Sequence, residues 1–173
     1  MFAKTAITNL ARMNSKPLFE INTSLINIDG MFYDCPNLKT LPNYLFTKEN
    51  NKISHPELTG APALFGKNPS TETTQITIKE LASSFWQGIS TNFINIGKGS
   101  ITNEEWGPDY GTLQSNGGIF QYADIDQKSI ENIFNTLKDK IQSVQWAFKD
   151  ATGFTKFSTL SNCSKLVNAY GLF

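Results

Sequence analysis

The residues able to carry acid–base or nucleophilic chemistry are few in this chain. His55 is the single histidine among 173 residues, and it precedes a proline in a polar stretch without a recognisable nucleophile motif. A catalytic unit of the Ser-His-Asp or Cys-His type would have to use it, and we expect an exposed loop residue instead. Glu104-Glu105 and the pair Asp124 and Asp126 could serve glycoside hydrolysis if two acids faced one sugar. Solvated loop positions are the simpler interpretation of these carboxylates.

Phosphate and metal sites are not indicated by the spacing of the relevant residues. Segment 60–68, GAPALFGKN, has five residues between its glycines where a phosphate-binding loop has four, and Asn68 stands in place of Ser or Thr. Cys35 and Cys163 lie far apart, and with one histidine they do not form the ligand pattern of structural zinc. We expect two buried, reduced thiols, with a disulfide as the alternative, and no metal or cofactor.

Binding by aromatic side chains is the chemistry that the sequence favours. Residues 97–118 contain six glycines and form a predicted loop excursion that includes Trp106 and Tyr110, and Tyr122 follows it. Aromatic groups on a loop can stack on a sugar or anchor a protein, because they bring a large contact area with few rotatable bonds. Trp106, Tyr110 and Tyr122 are therefore the candidate binding residues. The alternative is that they pin the loop onto the core.

Composition narrows the classes of partner and location. Lys plus Arg and Asp plus Glu number 15 each, so the basic footprint of a nucleic-acid-binding protein is missing. Charged residues make up 17%, whereas 17 Asn and 13 Phe suit a repeat protein or a subunit of a large assembly. The sequence contains no apolar run of about 18 residues, which is the length needed to span a membrane. The first 14 residues lack the apolar region of a signal peptide, so we expect either a virion protein or a surface or secreted protein with a separate leader.

A repeated apolar pattern marks the elements that would position these residues. The run aliphatic-x-x-aliphatic-x-x-x-Phe occurs three times, ending at Phe32, Phe85 and Phe148, and a small residue follows three positions later each time. Such self-similarity is typical of repeat architectures, in which each unit buries its apolar face against its neighbours. We predict that the three phenylalanines occupy equivalent buried positions. A second recurring element is an aliphatic-Phe pair, found at Leu18-Phe19, Leu45-Phe46, Leu64-Phe65, Ile119-Phe120 and Leu172-Phe173.

Local patterns predict the secondary structure. Helical spacing, with Asp126 or Ser129 as the N-cap, joins Ile130, Ile133, Phe134, Leu137, Ile141 and Val144. Short strands are predicted at 38–41, 92–96 and 154–157, directly after the anchor phenylalanines, and a short helix or turn at 77–87. Residues 47–76 and 97–118 are rich in loop-forming residues and are predicted to be long loops.

Residues 27–46, NIDGMFYDCPNLKTLPNYLF, resemble the BspA-like leucine-rich repeats. The recurring unit of that family is Met/Thr-Phe-x-x-Cys-x-x-Leu-x-x-Ile/Leu-Pro-x-x-Leu-Phe, and this segment matches it from Met31 to Phe46. Residues 144–157 and 81–94 are weaker copies, and 163–173 matches without the proline. The resemblance implies a solenoid of short parallel strands, as found in surface adhesins of gut and oral bacteria and in similar arrays of their phages.

Together these observations predict one repeat domain over residues 1–173, as a segment of a longer array. The predicted fold is α/β: an irregular leucine-rich-repeat-like solenoid of short parallel strands with helices or turns and two long loops. The predicted function is a non-enzymatic recognition or adhesion module that presents a solenoid face to a protein or glycan partner. The alternatives are a structural component of a phage virion (a capsid, tail or fibre part) and a carbohydrate-active enzyme.

Overall fold

The computed structural model describes residues 2–10, 18–19, 22, 24–39, 41–46, 57–67, 75–89, 93–97 and 117–173. Regular secondary structure in these residues is sparse. It comprises one α-helix, α1 (Gln127–Leu137), two 3-10 segments (Ser83–Trp86 and Ser158–Asn162), and the strands β1 (Thr77–Ile78) and β2 (Asp124–Ile125). The two strands are parallel neighbours, with Thr77 opposite Asp124.

Helix α1 forms where the apolar spacing predicted a helix. Asp126 is its N-cap, and the Asp126 carboxylate accepts a hydrogen bond of 2.7 Å from the Ser129 N–H. Spacings of three and four residues place one apolar face on the core, formed by Ile130, Ile133, Phe134 and Leu137. The helix ends at Leu137, so the predicted continuation through Ile141 and Val144 is wrong. Both residues are buried, but in chain that follows a turn at 138–140.

The predicted α/β leucine-rich-repeat-like solenoid of short parallel strands is wrong. The strands expected at 38–41, 92–96 and 154–157 are not formed in their described residues, and the two-residue strands β1 and β2 lie elsewhere. Two residues after the anchor phenylalanines, Asp34 (φ +53°) and Asp150 (φ +55°) take the left-handed conformation. A left-handed residue interrupts extended backbone, so a regular strand cannot follow directly.

Short turns that lie parallel to one another hold the chain together instead. Isolated parallel bridges join Gly60 to Asn95, Asn95 to Ser143 and Ser143 to Asn168. We call the segments involved the stacked turns: the first is 27–34, the second 60–67, the third 95–97 with 118–122, the fourth 143–150 and the fifth 168–173. Backbone N–H groups of one turn donate to carbonyl oxygens of the next, as at the first seam, where the N–H groups of residues 30, 32 and 34 all donate to the second turn.

A column of phenylalanine rings fills the centre of the stacked turns. Its members are Phe2, Phe32, Phe65, Phe120 and Phe148, with centroids of successive rings 5.5 to 5.7 Å apart. Phe32 and Phe148 therefore occupy equivalent positions, as predicted. Phe85 is also fully buried, but it contacts the column from the side, 6.1 Å from Phe65. Between Phe32 and Phe148, the equivalent positions are occupied by Phe65 and Phe120, which come from the recurring aliphatic-Phe pairs.

Part of the predicted loop over residues 47–76 belongs to this core. Residues 57–67 contribute the fully buried Leu58, Leu64 and Phe65, so the loop prediction is wrong for them. The glycine content was misleading, because a Cβ on Gly60 would lie 2.5 Å from the carbonyl oxygen of Asn95. Glycine therefore permits close approach of two backbones here. The Leu64-Phe65 pair was the sequence signal for this turn.

Candidate binding site

The predicted aromatic residues are not brought together within the described part of the chain. Trp106 and Tyr110 lie in 98–116, outside the described residues. Tyr122 is half-buried in the third stacked turn with a φ of +62°. Its backbone N–H donates to the carbonyl oxygen of Lys149 at 2.9 Å. The backbone of Tyr122 therefore links the third stacked turn to the fourth. In the sequence, Tyr122 comes shortly after the point where the glycine-rich excursion rejoins the third turn.

The glycine-rich excursion leaves and rejoins a single stacked turn. Gly97 and Gly118 both press against residues 145–147, where a Cβ on either glycine would collide with backbone atoms. The Ile119 N–H donates to the carbonyl oxygen of Ile96 at 2.9 Å, which closes the turn across the inserted segment. Both ends of the excursion are thus held at one place in the fold.

The carboxylates considered for hydrolysis have structural partners. Asp124 forms an ion pair of 2.7 Å with Lys79. Asp126 accepts hydrogen bonds from the backbone N–H groups of Ser129 and Glu80, each at 2.7 Å. Burial alone would raise the pKa of Asp126, but the hydrogen bonds from Ser129 and Glu80 and the charge of Lys79 together lower its pKa. Both carboxylates therefore have structural partners, and Asp126 favours its ionised form.

Other chemical sites are not indicated in the described part of the chain. Among the described residues, no group of three or more His, Cys, Asp and Glu side chains is placed to hold a metal ion. The described helices include none with the length and hydropathy needed to cross a membrane. His55 and the Glu104-Glu105 pair lie outside the described residues.

Asparagine shapes the outer edge of several stacked turns. The Oδ1 atoms of Asn27, Asn95 and Asn168 each accept a hydrogen bond from the backbone N–H two residues later, at 2.6, 2.8 and 3.1 Å. A short amide side chain that bonds its own backbone in this way stabilises a tight turn. The abundance of asparagine therefore has a local structural cause at these positions.

A pocket of about 120 Å³ opens at the seam between the first and second stacked turns. We call it the seam pocket. Its lining residues are Ile26, Asn27, Asp29, Thr59, Gly60 and Pro62, with Asn95 from the third turn. Asp29 gives this lining one carboxylate, and the described lining residues include no Lys or Arg.

The seam pocket lies where the usual backbone hydrogen bonds are missing. Between the third and fourth turns, the N–H groups of residues 142–143 both donate to the carbonyl oxygen of Ile94, at 2.8 and 3.1 Å. The same pair of bonds recurs at the other two bridged seams. Among the described residues, the equivalent bonds from residues 59–60 to the carbonyl oxygen of Ile26 do not form.

Two donors and one acceptor therefore remain at the seam pocket. The N–H groups of Thr59 and Gly60 and the carbonyl oxygen of Ile26 have no hydrogen-bond partner among the described residues. The seam closes nearby, where the Gly30 N–H donates to the carbonyl oxygen of Pro62 at 2.9 Å. The pocket is consequently a wedge, with the Ile26 side chain, 64% exposed, at its rim.

A second exposed feature is an apolar patch on the fifth stacked turn and the residue before it. The side chains of Val167, Tyr170 and Phe173 are 84%, 71% and 61% exposed. Phe173 also meets Phe157 edge to face, with ring centroids 5.0 Å apart. The patch is therefore continuous with the aromatic interior. Contiguous exposed apolar surface is typical of contact sites.

The seam pocket could not be found from the sequence, because its unpaired groups belong to the backbone. Every non-proline residue carries the same N–H and carbonyl, so residue types do not reveal which ones are left unpaired. Comparison with known proteins adds no further guide, since no family model, curated protein or solved structure matches this chain.

Proposed function

We propose that this chain is a non-enzymatic recognition or adhesion module that presents a binding surface to a protein or glycan partner. The observation that carries the proposal is the seam pocket. Because Thr59 and Ile26 are exposed, solvent hydrates the backbone groups of the pocket in the free protein, and a ligand with matching polar groups can replace that water. A chain that pairs these groups at three seams and leaves them open at a fourth has a natural place for a ligand's polar groups.

The size of the seam pocket supports recognition of a small part of a larger partner. Sites for whole small molecules and cofactors typically enclose about 300–1,000 Å³, and the seam pocket has about 120 Å³. It suits a terminal group, with affinity added by the surrounding surface. Asp124 forms an ion pair with Lys79, and Asp126 caps α1. These structural roles support the non-enzymatic part of the proposal.

The sequence supports the setting in which such a module would act. The resemblance of residues 27–46 to BspA-like repeats favours a surface adhesin or a related phage protein. A chain with 17% charged residues and many asparagines also suits a contact protein. The module would act at a cell surface, as a secreted protein, or on a virion.

Blocking the seam pocket tests this function. Thr59 is exposed at the pocket, and Thr59→Lys places a long side chain there. Gln142→Lys is the matched control, because residue 142 occupies the same position two turns later. Binding of each variant to arrays of immobilised glycans and extracellular proteins is measured together with thermal unfolding. Loss of binding in Thr59→Lys alone, with both melting temperatures retained, supports the proposal. Binding that survives in Thr59→Lys contradicts it.

The apolar patch favours one second candidate, a structural component of a phage virion such as a capsid, tail or fibre part. Neighbouring subunits would cover Val167, Tyr170 and Phe173 in the assembled particle. Sedimentation of the purified chain separates the two candidates. A closed oligomer that Tyr170→Ser dissociates supports the structural role, and a monomer that binds a partner through the seam pocket supports the recognition module.

A further inference from the structure

The polar groups of the seam pocket require a ligand that both accepts and donates hydrogen bonds. Thr59 and Gly60 provide backbone N–H donors, whereas Ile26 provides a carbonyl acceptor. By equivalence with residues 142–143, these donors face Ile26, the residue next to the start of the first stacked turn. The inference that follows rests on the proposed function, because it names the class of partner that this site would bind.

Charged and purely apolar ligands match this arrangement poorly. An anion would satisfy the two N–H groups, but without a hydrogen-bond donor of its own it would leave the Ile26 carbonyl oxygen unpaired. A cation would satisfy the Ile26 carbonyl and leave both N–H groups unpaired. An apolar group would displace the water that hydrates these three groups and would leave them without partners. A neutral ligand with hydroxyl or amide groups satisfies donors and acceptor together.

An extended peptide cannot run through the seam. Neighbouring strands lie about 4.7–4.9 Å apart, so an inserted strand would need roughly twice that separation between the two turns. The N–H groups of Gly30 and Phe32 bond directly to Pro62 and Leu64 of the second turn, at 2.9 and 3.0 Å. These bonds close the wedge a few residues beyond the pocket. The occupant must therefore be compact or the end of a chain.

Two apolar residues in the otherwise polar lining of the seam pocket suit a ring that has carbon–hydrogen faces. Ile26 is 64% exposed at the rim, and Pro62 contributes a second apolar surface to the lining. A sugar ring carries hydroxyls at its edge and apolar carbon–hydrogen faces, and burial of such a face is favourable. A sugar therefore supplies both the hydrogen-bonding groups and the apolar face that the pocket requires.

We propose that the seam pocket binds the neutral terminal sugar of a glycan. The sugar hydroxyls accept hydrogen bonds from the N–H groups of Thr59 and Gly60 and donate to the Ile26 carbonyl. The ring lies against the Ile26 side chain. The rest of the glycan extends from the rim into solvent.

The test is an NMR titration of the ¹⁵N-labelled chain with methyl glycosides of glucose, galactose, mannose and N-acetylglucosamine. We expect at least one glycoside to shift the Thr59 and Gly60 amide resonances saturably, with a millimolar Kd. Ile26→Ser should weaken that Kd about tenfold through lost apolar contact. Gln142→Ser is the matched control, since Gln142 occupies the equivalent position directly before the fourth stacked turn and its replacement should leave the Kd unchanged.

Parallel titrations with sodium acetate and with N-acetylglycine methylamide separate the possible failures. Saturable shifts of the Thr59 and Gly60 amides by either probe, with no response to any glycoside, overturn the sugar assignment while the pocket remains a recognition site. If no probe shifts these amides, both the sugar assignment and the seam pocket as recognition site are overturned. The pocket would then hold only water.

Discussion

Phe120 lies between two other rings, with Phe65 at 5.7 Å on one side and Phe148 at 5.5 Å on the other. Each inner ring of the column (Phe32, Phe65 and Phe120) thus has another ring on both sides. An offset pair of aromatic rings contributes about 0.5–1.5 kcal/mol beyond the burial of its area. At the scale of single residues, the phenylalanines therefore link turns that share only short backbone contacts.

Replacing Phe120 with alanine should lower the free energy of unfolding by about 3–5 kcal/mol, because it removes a fully buried ring and leaves a cavity. Urea unfolding followed by circular dichroism measures the change. Phe173→Ala is the control, since that ring is 61% exposed and its loss should cost about 1 kcal/mol or less. Equal losses in the two variants would contradict the central place of the column.

Gly118→Ala should destabilise the protein more than Gly66→Ala. A Cβ at Gly118 would collide with the carbonyl oxygen of Trp146, whereas one at Gly66 has its nearest neighbour at 3.3 Å. Forcing extra atoms into packed structure costs about 1–3 kcal/mol. Differential scanning calorimetry of the two variants provides the comparison. A melting temperature that falls further for Gly66→Ala would show that the third and fourth turns are not in such close contact.

The two thiols should react slowly in the folded protein and fully in denaturant. Cys35 and Cys163 are both buried, as the sequence analysis predicted. Burial, with a contribution from the negative charge of Asp139, raises the pKa of Cys163. The reactive thiolate is therefore scarcer at neutral pH, and labelling of Cys163 should need a higher pH than that of a free thiol. Iodoacetamide labelling with mass spectrometry tests this, and an intact mass two hydrogens short would reveal a disulfide instead.

At the scale of elements, α1 is the one regular segment of substantial length in the described chain. Its N-cap, Asp126, also accepts the Glu80 N–H next to β1, and the Ser129 Oγ accepts the Leu81 N–H at 2.7 Å. The start of the helix is therefore bonded to a segment nearly 50 residues earlier in the sequence. This connection positions α1 against the 3-10 segment Ser83–Trp86.

Asp126→Ala should cost about 0.5–2 kcal/mol near neutral pH, the usual effect of losing an N-cap. The pKa of Asp126 is lowered below its ordinary value of 3.8 in the folded protein. A lowered pKa means that the ionised cap stabilises the fold above the ordinary carboxyl range and that this contribution disappears as pH falls through the folded pKa. The difference in melting temperature between wild type and variant should therefore shrink in acid. Asn135→Ala, at an exposed position on the same helix, is the control because it removes no titratable group and leaves the N-cap in place.

The sequence predicts α1 well because three signals agree there: an N-cap residue, a helical apolar spacing and sufficient length. β1 and β2 are two residues each, which is too short for an alternating apolar pattern to be recognised in the sequence. The grouping of Phe85 with Phe32 and Phe148 failed because buried side chains of one type can reach the core from different directions. The seam pocket could not be anticipated, since it depends on the spacing between two turns, 27–34 and 60–67, that are separated by other residues in the chain.

At the scale of the whole molecule, the fold is a set of stacked turns, and both ends of the inserted segment 98–116 lie at the third turn. Removal of residues 98–116, with Gly97 joined to Gly117 through a short Gly-Ser linker, should change the melting temperature little. Both ends already rest on residues 145–147, and loop closure entropy varies slowly with length. A large drop in melting temperature would show that the excursion contributes to the core. If Trp106 and Tyr110 bind the partner, affinity should fall by about 2 kcal/mol or more in the same variant.

The meeting of Gly97 and Gly118 on one turn also bears on how such a protein can diversify. A segment of 19 residues, 98–116, enters and leaves the third stacked turn without interrupting its bonds to the fourth. Selection can therefore lengthen, shorten or exchange that segment while the interior stays under separate constraint. The same site suits laboratory grafting of foreign peptides, with the flanking glycines kept and the segment between them randomised. Variation would concentrate in one cassette, in the way that display scaffolds separate a constant frame from a variable loop.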